Sequence, residues 1–388
     1  PQNRPARQHA WNESLGTDDN GNRLFPHHHV YLALSYEGSD RETDRSVVET
    51  ALTDLERAYA ASNDGLLCTL GYSPAYFERF GEPLTDVDLP PAGNLVPGEN
   101  VDVVDNDALL HLASDHASAV LGAETALFGD AVADDGPTGY AAQTGTRTAN
   151  GVEVTGLDGV FEVVDRRTGF FGPGLPKKNQ DEKFLQGVPD GAVDGDAPSF
   201  MGFWSRFQGS QATEDRVTIQ DGRFAGGTTQ HVSALALVLT NWVDHSTEEK
   251  IARLFAPDID PETVGEHGEQ LTTDNPVESF DMASLMDAAN DEGVVGHAQK
   301  LSRYRENGRP PILRRDVSSA DNKQGWVFFV SLQRAFEDFR RLRLAMEGID
   351  IAAETPVGER QDNGILQYFR TRRRGNYLIP PRELRALP

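Results

Sequence analysis

The sequence predicts an α+β protein made of two similar strand-helix halves. Three observations carry that prediction. Short runs of apolar residues with strand character recur in both halves of the chain, segments of helical periodicity follow them, and the order strand, helix, strand, strand, helix, strand occurs twice. With 388 residues and 38% hydrophobic content, the chain can bury a large core as two domains or one duplicated module.

In the first half HHHVYLALSYEG reads as a strand. Residues Arg41 to Ser62 read as a helix, because Val48, Leu52, Leu55 and Tyr59 recur at three- and four-residue steps. GLLCTLGYS is a second strand, and Ser73 and Pro74 supply the N-cap and first turn of a short helix through Phe80. A Pro/Gly-rich connection, LPPAGNLVPGEN, leads to a third strand, ALLHLAS. Asp115 then reads as the N-cap of the helix DHASAVLGAETALFG, and a long strand, GVEVTGLDGVFEVVDRR, closes the set.

Loop-rich sequence runs from Thr168 to Gly227, interrupted by MGFWSRF and a short strand, DRVTI. The order then begins again. HVSALALVLTNW is a strand, and Ser246 with Glu249 forms the capping box of the helix STEEKIARLFAP. Irregular and helical sequence leads to PILRRDV, followed by the strand GWVFFVSLQ, the amphipathic helix AFEDFRRLRLAMEG and the closing strand NYLIP. Two split strand-helix-strand units in series predict two ferredoxin-like halves with antiparallel sheets, packed sheet against sheet as in a dimeric α+β barrel. Residues 1–167 make the first half, 168–227 a connecting segment and 228–388 the second half.

The chain has 61 acidic against 36 basic residues, a formal charge of -25. Such a surface repels phosphate backbones and anionic lipid, which argues against a nucleic-acid partner. Only six of the basic residues are Lys, and the resulting excess of Arg and acid resembles proteins of salt-loving archaea. At 1 M salt screening reaches only about 3 Å, so a dense carboxylate surface ceases to destabilise the fold. The single cysteine, Cys68, rules out an intrachain disulfide and reads as a buried core thiol. No run of 18 apolar residues exists, so no membrane span is expected. The chain opens at Pro1 in a polar segment, as expected of a mature exported form, so an extracellular or cell-surface location is the expectation.

The segment from His297 to Val317, HAQKLSRYRENGRPPILRRDV, carries the strongest chemical signal. A lone histidine in a Gly-flanked loop precedes a basic stretch, and then Arg314 and Arg315 occupy adjacent strand positions. Adjacent strand residues point to opposite faces, so one is directed into the module and the other out. A planar dianion such as haem explains an inward Arg, with imidazole to iron and guanidinium and Lys to the propionates. On the residues alone, His297 reads more simply as an exposed loop histidine.

Several segments resemble the dye-decolorising peroxidase family. GYSPAYFERFG resembles that family's motif after its second strand, and NDALLHLASDH its third strand. GHAQKLSRYR stands where the family has its proximal histidine, and PILRRDV where it has the strand of its distal arginine. GWVFFVSLQRAFEDFRRLRLAMEG and ILQYFRTRRRGNYLIPP resemble its final strand, helix and Pro-Pro terminus. The resemblance implies haem b (iron protoporphyrin IX) as cofactor, hydrogen peroxide as oxidant and an unknown reductant. It implies His297 as iron ligand, Arg314 as distal arginine, and Lys300, Arg303 and Arg305 as further cofactor contacts.

One departure matters. The family's G-x-x-D-G segment supplies an Asp that shuttles the peroxide proton. Here MGFWSRFQGSQATE places Ser205 at that position and Arg206 after it; aligned instead on GSQ, the position becomes Gln208. A serine hydroxyl is no base near neutral pH, and losing a positioned acid-base group removes ~10²- to 10⁴-fold of rate. Two rivals therefore stay open. One is an inert or haem-free binding or structural protein on the cell exterior, with polar insertions around Gly172 and Asp190 filling the cavity. The other is a haem carrier or electron-transfer protein.

Weaker signals have simpler readings. His27 and His29 would share a strand face, yet a solvated strand start explains them without a metal. His231, His245 and His267 read as surface or strand-end residues. GFFGPGLPKK reads as a flexible loop, and RTRRRG as a basic patch that forms intramolecular ion pairs or meets a second subunit of a homo-oligomer.

Overall fold

The structure, a computed structural model, describes residues 4–129, 131–132, 139–140, 145–182, 184–204, 206–272 and 282–388. Four strands of the first half, β1 (His28–Tyr36), β2 (Leu67–Tyr72), β3 (Ala108–Ser114) and β4 (Phe161–Phe170), pair antiparallel in the order β4-β1-β3-β2. Four of the second half, β5 (Thr228–Leu237), β6 (Val317–Ser319), β7 (Trp326–Gln333) and β8 (Phe369–Ile379), repeat the pattern as β8-β5-β7-β6. The two sheets meet at single bridges, Ser318 with Phe170 and Leu378 with Tyr72, and so close an eight-stranded, barrel-like ring. Closure covers most strand edges that would otherwise remain open.

Alternation along each strand sorts side chains between two layers. Val30, Leu32 and Leu34 of β1 face α1 (Arg41–Ala58) and α2 (Ala117–Phe128), where Val48, Leu52, Leu55, Ala123 and Leu127 complete a core. Tyr31, on the opposite face, packs between the sheets against Leu109, Phe328, Val330 and Tyr377. The second sheet is covered by α3 (Thr247–Leu254), α4 (His297–Leu301) and α5 (Phe336–Glu347).

Capping chemistry sets several helix starts as expected. Ser73 accepts from the Tyr76 amide, and Ser246 and Glu249 form the reciprocal capping box of α3. Other expectations fail for identifiable reasons. DRVTI contains a helical turn, Glu214–Val217, because Thr213 caps it by accepting from the Arg216 amide. Asp115 does not cap α2: the N-cap is His116, and the Asp115 carboxylate accepts instead from the His27 amide. The long closing strand is broken into a hairpin, Thr146–Ala149 with Val152–Thr155, and β4. GFFGPGLPKK runs into a helix, Leu175–Glu182, instead of a loop.

The RTRRRG segment lies inside β8, where Arg373 pairs with Asp165 at 2.8 Å and Arg374 forms a two-point pair with Glu99 at 2.6 and 2.7 Å. Intramolecular pairing therefore accounts for these two members of the run. The Cys68 side chain is partly buried, and burial pushes its thiol up to about 12, which makes it a poor nucleophile.

Candidate functional site

Between the second sheet and its helices the packing leaves a cavity of about 1660 Å³, counting its open mouth. Its sheet wall is built by Ser233, Leu235 and Leu237 of β5, Val327 and Phe329 of β7, and Phe369 of β8. α5 contributes Phe339, Leu342 and Met346 to the helical wall. The loop-rich segment adds Phe171, Phe203, Trp204 and Phe207, so it forms a wall and does not fill the space. Large, mostly apolar concavities with a few convergent polar groups are the usual form of a cofactor or ligand site.

His297 is not in an irregular loop, as its Gly-flanked sequence suggests, but opens α4, with Gly296 as N-cap. Its imidazole lines the cavity. Burial first, and then the charges of Lys300, Arg314 and Arg343, lower its pKa from 6.5 to about 3, so the ring is neutral at physiological pH. Its Nδ1 is buried with no hydrogen-bond partner. A neutral imidazole with an unused ring nitrogen is the form in which histidine binds metals.

Arg314 reaches the same cavity from the sheet side, in the short strand Leu313–Arg314 that pairs with β7. The Gln211 side chain clasps its backbone, accepting from the Arg314 amide at 2.8 Å, and the Arg314 Nη2 donates to Ser210 Oγ at 3.0 Å. Arg315 does point the opposite way, but not out to solvent. It is 1% exposed, lies 3.8 Å from the Trp11 ring centroid between the two halves, and donates to the His9 carbonyl by Nη2 at 2.5 Å. One face of the strand looks into the closed barrel and the other lies beneath the covering helices, so neither meets solvent.

Arg305 also lines the cavity, with Nη2 donating to the Gly209 carbonyl at 2.6 Å. Lys300 and Arg303 do not share it. The Lys300 ammonium is buried away from it and donates to Met346 O at 2.5 Å, Asn363 O at 3.0 Å and Asn363 Oδ1 at 2.6 Å. Arg303 binds the Ala345 carbonyl and Asp350. Helical periodicity does not explain the split, since residues three apart share a face; the carbonyl oxygens of Met346 and Asn363 draw the Lys300 ammonium away from the cavity. Ser205 lies outside the described residues.

Two residues of the site escaped the sequence reading. Asp316 lines the cavity and is 8% exposed. It lies between the short strands Leu313–Arg314 and Val317–Ser319, where strand alternation gives no signal for the direction of its side chain. Arg206, 4% exposed, has all three guanidinium nitrogens buried without a hydrogen-bond partner; it stacks over Phe171 at 3.9 Å and Phe25 at 4.4 Å.

His29, His111 and His231 are structural. His29, 2% exposed and so no solvated strand start, donates from Nε2 to the Pro26 carbonyl at 2.7 Å, which leaves its Nδ1 to accept from His111 Nε2 at 2.9 Å. His231, 0% exposed, bonds Asn376 and Ser233 and stacks on Phe339. Both were hidden because strand sequence does not tell which face a closed barrel will bury. Asp194, Glu266 and His267 cluster at the surface within reach of one ion, but exposed acidic groups of this kind are common without a metal.

The fold is a closed α+β barrel of two repeated four-stranded sheets, and among the described residues His297 is the histidine that lines its cavity. This barrel is the fold of the dye-decolorising peroxidases. A dye-decolorizing peroxidase from Bacteroides thetaiotaomicron matches at TM-score 0.55 and 13% identity, covering 96% of this chain and 98% of that one. The encapsulated DyP-type peroxidase of Mycobacterium smegmatis matches at 0.52 and 16%, covering 94% and 96%. A DypB variant of Rhodococcus jostii, determined in complex with heme, matches at 0.52 and 15%, covering 93% and 95%. At these identities the likeness establishes the fold alone. The chain itself belongs to a family of unknown function, DUF7405, whose model matches residues 26–381. No curated protein matches the sequence.

Proposed function

We propose that the chain is a haem-binding oxidoreductase of dye-decolorising-peroxidase type, taking hydrogen peroxide as oxidant and an organic molecule as reductant. One observation carries the reading: a neutral histidine with an unpartnered buried nitrogen stands in a large apolar cavity lined, among the described residues, by four arginines; Arg343 and Arg374 are paired with Glu99, and Arg305 and Arg314 are not paired with it. These residues fit haem b. The apolar walls suit the faces of a porphyrin, His297 offers the iron an imidazole, and Arg314 and Arg305 suit two propionates or, for Arg314, a developing oxyanion. When bound, haem supplies the redox capacity that no side chain of the cavity has.

The protein's own contribution is position and electrostatics. Burial and nearby cations hold the His297 ring deprotonated and ready to coordinate. The Gln211 clasp and the Ser210 contact keep the Arg314 guanidinium aimed without reorganisation, which is where such groups gain their effect. Phe171, Phe203 and Phe207 keep bulk water from the reacting groups.

Haem reconstitution tests the proposal. The wild-type protein is expected to develop a Soret band, and His297→Ala to lose or shift it. A wild type that takes up no haem sinks the proposal; an unchanged spectrum in the variant removes His297 from the iron. The serine at position 205 favours a second reading, a haem carrier or electron-transfer protein. That reading predicts a Soret band without oxidation of a reducing dye by hydrogen peroxide.

A further inference from the structure

A second, smaller cavity of about 520 Å³, counting its open mouth, lies inside the ring, between the two sheets. It and the larger cavity occupy opposite faces of the second sheet: Ser233 and Leu235 of β5 line the larger one, Val232 and Ala234 this one. Register explains why the ring is not filled here. Ala234 stands opposite Phe328 of β7 and Arg373 of β8, and Ala33 stands opposite Asp165 of β4, so small side chains occupy positions where larger ones would close the space. At Gly375 a Cβ would run into the ring of Tyr377, two residues on along the same face. Tyr31, Phe328 and Tyr377 complete an aromatic wall.

The mouth is cationic, in a chain whose formal charge is -25. Arg167 Nε and Arg373 Nη1 both donate to one oxygen of Asp165, Oδ2, at 3.0 and 2.8 Å, and among the described residues neither guanidinium forms another hydrogen bond. Two positive charges therefore share one negative charge, and most of the N–H groups on both guanidiniums are unused. Asp102, beside Arg373 in register, forms no ion pair with it. Arg374 also lines the cavity, but its two terminal nitrogens are held by Glu99. The Tyr377 hydroxyl donates to Asn106 Oδ1 at 2.9 Å and lies in the field of both Asp165 and Arg373, so the aromatic wall runs up to the charged mouth.

We propose that this cavity binds a small aromatic carboxylate, its ring against Tyr31, Phe328 and Tyr377 and its carboxylate on the unused N–H groups of Arg167 and Arg373. Guanidinium donors match the two oxygens of a carboxylate, and an apolar hollow with convergent polar groups at one end is the usual form of a small-molecule site. Cations at the mouth draw an anion to this one place on a surface that otherwise repels it. The site stands apart from the haem reading, because Arg167, Arg373 and Ala234 do not line the larger cavity.

Isothermal titration calorimetry of the full chain with benzoate tests the proposal. One benzoate per chain is expected. Benzamide keeps the ring and loses the charge, acetate keeps the charge and loses the ring, and each should bind at least about tenfold more weakly. Arg373→Gln should weaken benzoate by about 10- to 100-fold, the range for a lost charge-assisted hydrogen bond. Ala234→Leu, which fills the space, should abolish binding in a protein that still melts cooperatively. A wild type that takes up no benzoate overturns the proposal, as does benzamide or acetate binding as tightly as benzoate. Wild-type affinity in Arg373→Gln, or in a folded Ala234→Leu, puts the anion elsewhere and overturns it too. Should Ala234→Leu fail to fold, the partly exposed Arg373 and the benzamide comparison decide.

Discussion

Lys300 illustrates how a charge beside a candidate ligand in sequence can serve the fold and not the ligand. Its ammonium ties α4 to Met346, near the end of α5, and to the loop at Asn363, whose own Nδ2 donates to Glu347 O and Glu359 O. Replacing Lys300 with Met keeps the apolar stem and removes every donor. We expect a loss of about 1–3 kcal/mol for each carbonyl left without a partner, read as a lower urea midpoint. Because the knot holds the helix that carries His297, haem affinity should fall as well. An unchanged midpoint would show that the three acceptors find water instead.

At the scale of elements, α4 is placed by its approach to the end of α3. The Gln299 amide donates to the Phe255 carbonyl at 3.1 Å, and Gly296 lies so close that an added Cβ would overlap that same oxygen. The obstacle is backbone, which cannot swing aside as a side chain can. Gly296→Ala should therefore shift α4 and cost on the order of 1–3 kcal/mol, in the range of overpacked sites. A combined drop in melting temperature and haem affinity is the expected result. If only the melting temperature falls, His297 is held by contacts other than the start of its helix.

For the whole molecule, the two halves use one architecture to different ends. The first half fills the layer between sheet and helices with Leu and Val side chains; the second leaves a cavity there. The closed ring also buries histidines without charging them. Burial lowers His9, His29 and His231 from 6.5 to about 3, and His111 well below its usual value. A histidine with a depressed folded pKa contributes stability that is present above pH 6.5 and is lost as pH falls toward 3, because the unfolded chain takes up the proton first. Each such group steepens the loss by about 1.4 kcal/mol per pH unit. Urea midpoints should fall steeply between pH 6.5 and 4, and His231→Gln, which cannot titrate, should fall less steeply. Equal midpoints across that range would count against neutral burial.

Periodicity and capping determined the strand and helix order of both halves, because these are local: Val30, Leu32 and Leu34 alternate, and Ser246 and Glu249 cap, whatever lies around them. The adjacency of Arg314 and Arg315 likewise determined that they would diverge. What the second face would meet was settled only by ring closure, which puts Arg315 against Trp11 and buries His29, His111 and His231 instead of exposing them. Tertiary structure alone separated Arg305, in the cavity, from Lys300 and Arg303, outside it, since the turn of a five-residue helix is set by its packing on α3 and α5. It also brought Asp316 and Arg206, distant in sequence, to one wall beside the cavity. Local sequence determines which way a side chain leaves its own backbone; only the packed chain determines what waits there.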